Sequence, residues 1–339
     1  MIRDQQELED RLSDPTQHLV EALARIEGDL LILGAGGKMG PTLARMACRA
    51  SEAAGRGGRI IATSRFSEEG LQDRLNSWGI STLAGDLLDP GFVASLPVVP
   101  NVIYLVGVKF GTGGAQARTW ASNAYIPGVV CERFRTSRIV ALSTGNVYGM
   151  TDVAGEGSSE SDPLQPEGEY AMSALGRERV FEHFSRTLDI PVALIRLNYA
   201  TELRYGVLVD LATKVYRGEP VSLEMGYFNT IWQADANEMI LRSLEHAETP
   251  PAIVNLTGPE RLGVRELAQR FGELLGKEVQ FIGSESAAAF LSDSRSARER
   301  FGPPATSLDS MLEMTADWVG RGQPTWNKPT HFEVRDGKY

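Results

Sequence analysis

The sequence predicts an α/β fold, a doubly wound parallel sheet carrying a smaller C-terminal lobe partly interleaved with it. Three observations predict it. Short apolar runs alternate with amphipathic stretches from Asp29 onward, a glycine-rich turn follows the first run, and the rhythm loosens after Asn198. The chain has 339 residues, 42% hydrophobic and 23% charged, which allows a sizeable core with no disulfide or metal staple.

Taken in order, residues 1–28 read as a polar lead-in with one helix, opened by Asp14-Pro15 and presenting Leu19, Leu23 and Ile26 on one face. Six strands are expected at DLLILGAG, RIIATSR, STLAGDLL, NVIYLVGV, RIVALSTG and PVALIRLN, with helices between them such as 40–54 and 171–188. These fill residues 29–200. The stretch 151–169, rich in Gly, Ser, Glu and Pro, reads as a surface loop. Residues 201–325 form the lobe, with helices at 203–218, 234–247, 263–275 and 308–320 and a strand at IVNLTG; 326–339 is a tail over the surface.

Composition excludes several classes. With 34 basic and 44 acidic side chains the net charge is −10, the wrong sign for nucleic acid or an anionic membrane. Cys48 and Cys131 are the only cysteines, so no disulfide framework is expected and a reducing cytoplasm is the natural setting. The polar N-terminus is unlike a secretory signal, and no apolar run nears the ~20 residues that span a bilayer. His18, His183, His246 and His331 lack ligand spacing, and Glu156, Glu160 and Asp162 read as a solvated acidic face, so no metal site is expected.

Gly34, Gly37 and Gly40 follow the first strand as G-x-x-G-x-x-G and open a helix. That spacing allows a tight turn, lets bare backbone approach a pyrophosphate, and packs the helix closely on the strand with its positive end toward the phosphates. The site is of the Rossmann dinucleotide-binding kind. The second strand ends in Ser64-Arg65, where NAD sites carry an acidic residue. A hydroxyl and a guanidinium suit a 2′-phosphate, so among NAD(P) cofactors NADP is favoured over NAD; the alternative is a solvated arginine. Asp86, ending the third strand, either meets the adenine edge or caps a helix.

The segments GAGGKMG, GDLLD, VIYLVG, Asn123, ALSTGNVYG, EYAMSALGRE, LIRLNYA and IVNLTGPERLGVRELAQ occur in this order. Through them the chain, from about residue 29 to about 320, resembles the extended short-chain dehydrogenase/reductase family, which contains NAD-dependent nucleotide-sugar epimerases and dehydratases. The resemblance adds Lys38, Met39, Leu87, Val106, Gly107 and Asn123 to the cofactor site. It implies that Thr144 orients a substrate hydroxyl and that Tyr170 is the acid/base. The family's Lys four residues after that Tyr is here Ala174. Holding a tyrosinate at pH 7 costs about 4 kcal/mol, so Tyr170 is a poor base unless another cation or the oxidised nicotinamide supplies the field; the alternative is that nothing replaces the lysine. Lys109 after the fourth strand is the favoured replacement, ahead of Arg177, whose alternative is a surface pair with Glu178 or Glu182.

Substrate contacts are expected from Lys109, Thr144, Asn146, Asn198 and Arg204, although Asn123 and Asn198 could instead tie loops, and Arg196 and Arg204 could form surface ion pairs. Trp120, Tyr199, Tyr205 and Trp232 line the pocket or join the core, and Tyr148 packs beneath it. The resemblance implies reversible hydride transfer on a carbohydrate, whether sugar, sugar acid or nucleotide sugar, by an epimerase or dehydrogenase. Gly145 and Asn146 stand where dehydratases carry an acidic pair, which disfavours 4,6-dehydration. A catalytically silent NADP-binding sensor or scaffold is the alternative; the missing Lys favours it, and Thr144 with Tyr170 opposes it. The resemblance also implies a homodimer through 121–134 and 171–184, with a small molecule rather than nucleic acid or membrane as partner.

Overall fold

The six apolar runs, joined by a seventh from the last third of the chain, form one parallel sheet in the computed structural model, which describes residues 1–109 and 114–337. The strands are β1 (Leu30–Leu33), β2 (Ile60–Ser64), β3 (Ser81–Ala84), β4 (Asn101–Tyr104), β5 (Arg138–Thr144), β6 (Val192–Leu197) and β7 (Ala252–Leu256). Their spatial order is β7-β6-β5-β4-β1-β2-β3, every pairing parallel. The order reverses between β1 and β4, and ligands of such sheets bind in the crevice outside the strand ends at that point.

Strands covered on both faces need apolar residues at successive positions rather than alternate ones. Leu30 and Ile32 accordingly enter one core, while Leu31 and Leu33 enter the other. The first core packs under α2 (Gln17–Ala24), α3 (Gly40–Ala53) and α10 (Gln233–Arg242), and the second under α5 (Pro90–Ser95), α7 (Ile126–Arg133) and α8 (Gly168–Leu188). In the C-terminal lobe, α9 (Val207–Arg217), α11 (Val264–Leu275) and α13 (Leu308–Gly320) enclose a third core around Leu211, Phe271 and Trp318.

Three expectations change. The lead-in holds two helices, because Asp4 caps α1 (Gln5–Leu12) through Glu7 N–H, and the second helix is capped by Thr16 through Leu19 N–H, not by Asp14-Pro15. The first is easily missed: only Leu8, Glu9 and Leu12 are buried in a very polar segment. The IVNLTG run belongs to the main sheet, as β7 beside β6. The loop 151–169 is sewn to the lobe, through Thr151–Asp152 paired antiparallel with Ala288–Ala289 and a bridge from Ser158 to Ser292. Glu160 in it accepts from Asn255 N–H at 2.8 Å rather than standing free in solvent. Among the described residues no helix is long and apolar enough to cross a membrane.

Candidate active site

The chain leaves β1 into a turn whose first residue, Gly34, has φ +86°. Gly34 and Ala35 N–H both donate to Thr63 O, at 2.9 and 3.0 Å, which draws the turn against the end of β2. A Cβ on Gly36 would stand 2.3 Å from Ser64 Oγ, so any larger residue there would have to turn the serine hydroxyl aside. Gly40 opens α3 with its Cα so close to the strand end that a Cβ would meet Ala35 O at 2.3 Å. We expect Gly40→Ala to cost about 1–3 kcal/mol and to weaken dinucleotide binding, checked by melts with and without NAD.

This turn borders a groove of about 230 Å3, which brings together Gly34, Gly37, Ser64, Arg65, Asp86, Leu87, Val106 and Gly107. Asp86 does not cap a helix: its Oδ1 accepts from Leu88 N–H at 3.0 Å, and Asp89 caps α5 through Gly91 N–H. Asn123 stands outside the groove wall. Its Oδ1 accepts from Val108 N–H (2.8 Å) and Arg177 Nη2 (2.9 Å), and its Nδ2 donates to Val108 O (3.0 Å) and Ser173 Oγ (2.9 Å). It is a fully buried clip on the β4 exit loop, with its amide used up there.

A second cavity, about 250 Å3, shares Leu105 and Gly107 with the groove. Around it stand Thr144 at the end of β5, Tyr170 in the first turn of α8, and Asn146, Asn198 and Lys109. Thr144 Oγ1 donates to Asn146 Oδ1 at 3.0 Å. Lys38 and Met39 open on this cavity rather than on the groove. Lys109 Nζ lies 5.9 Å from the Tyr170 ring centroid and 5.8 Å from that of Tyr199. Burial pulls Lys38 and Lys109 each down to about 8. Among the described residues no group of three or more His, Cys, Asp or Glu side chains is placed to hold a metal.

The arginines are placed differently from the surface pairs the sequence allowed. Arg177 is buried, with Nη1 donating to Leu142 O at 2.8 Å and Nη2 to Asn123. A Cβ on Gly107 would lie 2.7 Å from that Nη2, so the arginine reaches the wall between the two cavities. Arg196 and Glu178 form a buried pair at 2.7 Å. Arg204, expected at the substrate, is instead outside this cavity, held by Glu202 (3.2 Å) and Glu9 (3.3 Å). Trp232 is in the lobe core, and Trp120 donates to Glu169 at the surface. Tyr199, Tyr205 and Thr330 complete the walls. Nothing in the sequence around Thr330 signalled a site, since the tail reaches it only through tertiary packing.

A family profile described as NAD dependent epimerase/dehydratase family matches residues 30–255. No curated protein sequence matches the chain. Similar solved structures include a UDP-glucuronic acid 4-epimerase from Bacillus cereus in complex with UDP-glucuronic acid and NAD (16% identity, 86% of this chain and 99% of that one, TM-score 0.70). A dTDP-glucose 4,6-dehydratase from Streptomyces venezuelae with NAD bound is 18% identical over 86% of this chain and 97% of that one, TM-score 0.71. A UDP-glucose 4-epimerase from Thermotoga maritima with UDP-glucose is 18% identical over 87% and 99%, TM-score 0.70. At these identities the likeness is one of fold.

Proposed function

The chain belongs to the NAD dependent epimerase/dehydratase family, and from that premise we propose that it is an enzyme of reversible hydride transfer on a hydroxyl-bearing carbohydrate. One observation carries the reading: Thr144 and Tyr170 face a cavity whose wall, Leu105 and Gly107, is also the wall of the glycine-lined groove. The groove fits a dinucleotide because Gly34, Gly36 and Gly37 line it, leaving bare backbone where a pyrophosphate must approach. Asp86 is set for the adenine side and Ser64 with Arg65 for the ribose, where the exposed guanidinium favours a 2′-phosphate. The nicotinamide supplies the hydride acceptor and donor.

This chain's residues handle the proton. Thr144 holds the substrate hydroxyl, and Tyr170 takes its proton or returns it. With alanine at position 174, the charge of Lys109 beside the Tyr170 ring lowers the cost of the phenolate. That charge is lost as pH rises through about 8. The alkaline limb of kcat/KM is therefore expected near that pH, and Lys109→Met should lower kcat about 10–100-fold and abolish the limb. A variant with an unchanged profile would move the role to Arg177.

The first test is to denature the purified protein and quantify any released nicotinamide nucleotide, with NAD and NADP titrated into the native protein. Retained NAD would mark an epimerase that recycles its hydride and would remove the role given to Arg65. Freely exchanged NADP would mark a dehydrogenase. Binding with no hydride exchange on any sugar would overturn the enzyme and favour the sensor. The exposed Trp120, Tyr125 and Met172, on or beside the 121–134 and 171–184 helices, support a homodimer, which sedimentation would check.

A further inference from the structure

Among the described residues, the cavity holding Thr144 and Tyr170 is lined by three cations, Lys38, Lys109 and Arg177, and by no Asp or Glu. Arg177 is committed to Leu142 O and Asn123. The two lysines enter from different elements. Lys38 crosses from the glycine turn to donate to Ala200 O at 2.5 Å, 4.9 Å from the Tyr205 ring centroid. Lys109 comes from the exit of β4 and lies between the rings of Tyr170 and Tyr199.

Each lysine feels its burial; for Lys38 the charges of Arg204 and, less, Lys109 add to it, while those of Glu202 and Asp210 oppose it. Like charges in a shielded volume are costly unless an anion joins them. The carboxylates that act on Lys38 from behind the wall are already engaged. Glu202 is paired with Arg204, and Asp210 Oδ2 accepts from Thr330 N–H and Oγ1, at 2.8 and 2.6 Å.

The C-terminal tail borders the same side of the cavity. Trp326 stacks on Tyr205 with centroids 5.6 Å apart, Thr330 reaches the cavity wall, and Phe332 is buried in the lobe core. Gly337 of the tail meets the helix that carries Tyr170, where a Cβ on Gly168 would sit 2.4 Å from Gly337 O. The cavity's volume of about 250 Å3 falls below the roughly 300–1,000 Å3 usual for drug-sized ligands.

We propose that Lys38 and Lys109 form an oxyanion subsite, and that the substrate is a small hydroxy compound bearing a carboxylate or phosphate and no nucleotide handle. The inference rests on the reading of this cavity as the substrate site.

The test is calorimetric titration of D-glucuronate, inorganic phosphate, D-glucose and UDP-glucuronate into the full chain, with and without saturating NAD. Glucuronate, phosphate or both should bind saturably, at least tenfold tighter than glucose, and more weakly as NaCl is raised. Preference for glucuronate assigns a carboxylate, and preference for phosphate a phosphate ester. UDP-glucuronate should bind no tighter than glucuronate. Lys38→Met and Lys109→Met should each weaken the preferred anion at least tenfold and leave NAD affinity within twofold.

Absence of saturable binding by both anions, equal binding of glucose, or UDP-glucuronate tighter by tenfold would overturn the inference. So would a Lys38→Met variant that loses NAD affinity and keeps anion affinity. Hydride exchange, measured separately, tells the two readings apart. Lysine-dependent anion binding without exchange removes only the enzyme, whereas exchange on uncharged sugars removes only the anion subsite.

Discussion

Tyr170→Phe is expected to lower kcat by about 10²–10⁴-fold, the usual worth of a positioned proton carrier, with dinucleotide affinity unchanged. Tyr170 faces the Thr144 cavity, while the groove is lined by Gly34, Gly37, Ser64, Arg65 and Asp86 from other elements, so chemistry and cofactor binding should separate in this variant. Phe keeps the ring and the first turn of α8, which leaves the phenol oxygen as the one thing removed. Single-turnover hydride transfer and a dinucleotide titration on the same preparation would check it. A Tyr170→Phe enzyme with native turnover would remove Tyr170 from the chemistry and leave Lys109 and Lys38, each pulled down to about 8, as the groups able to exchange a proton at working pH.

The dinucleotide half of the site is legible in sequence because its requirements are local. A strand, a turn of glycines and a helix are contiguous, and what makes Gly40 necessary is the backbone of Ala35, within the same turn. The proton-handling half is only partly legible. Helical spacing puts Arg177 two turns beyond Tyr170, yet whether it faces solvent or the cavity depends on how closely α8 approaches the sheet. Ser173 and Ala174 are fully buried, Ser173 on Asn123 and Ala174 against Val147 and Tyr148 just beyond β5. Arg204 misled because its partner Glu9 lies in a helix with too few apolar residues to announce itself. Thr330 carried no signal at all, since a tail is placed by the surfaces it finds.

Glu178→Ala should produce the largest loss of stability, about 3–5 kcal/mol, as expected when one partner of a buried ion pair is removed. The two side chains are 3% and 2% exposed. Glu178 accepts from Arg196 Nη2 at 2.7 Å, Arg196 Nε at 3.0 Å and Ser143 Oγ at 2.5 Å; Arg196 Nη1 donates to Tyr148 Oη, which donates to Asn255 Oδ1. One carboxylate thereby ties α8 to β5, β6 and β7 directly beneath Thr144 and behind Tyr170. Burial opposes the charge on Arg196, but the hydrogen bonds and charge of Glu178 outweigh it and hold the guanidinium above the ordinary arginine range. A lysine stranded by such a mutation can shed its proton at modest cost, whereas arginine cannot. The cation left by Glu178→Ala must therefore stay charged in a dry site or draw water in. It follows that Glu178→Leu combined with Arg196→Met, which removes both charges and keeps volume, should be more stable than Glu178→Ala alone. Denaturant unfolding of Glu178→Ala, Glu178→Leu, Arg196→Met and the double would decide it, and a double whose loss is the strict sum of the Glu178→Leu and Arg196→Met losses would mean that the pair does not act as a unit.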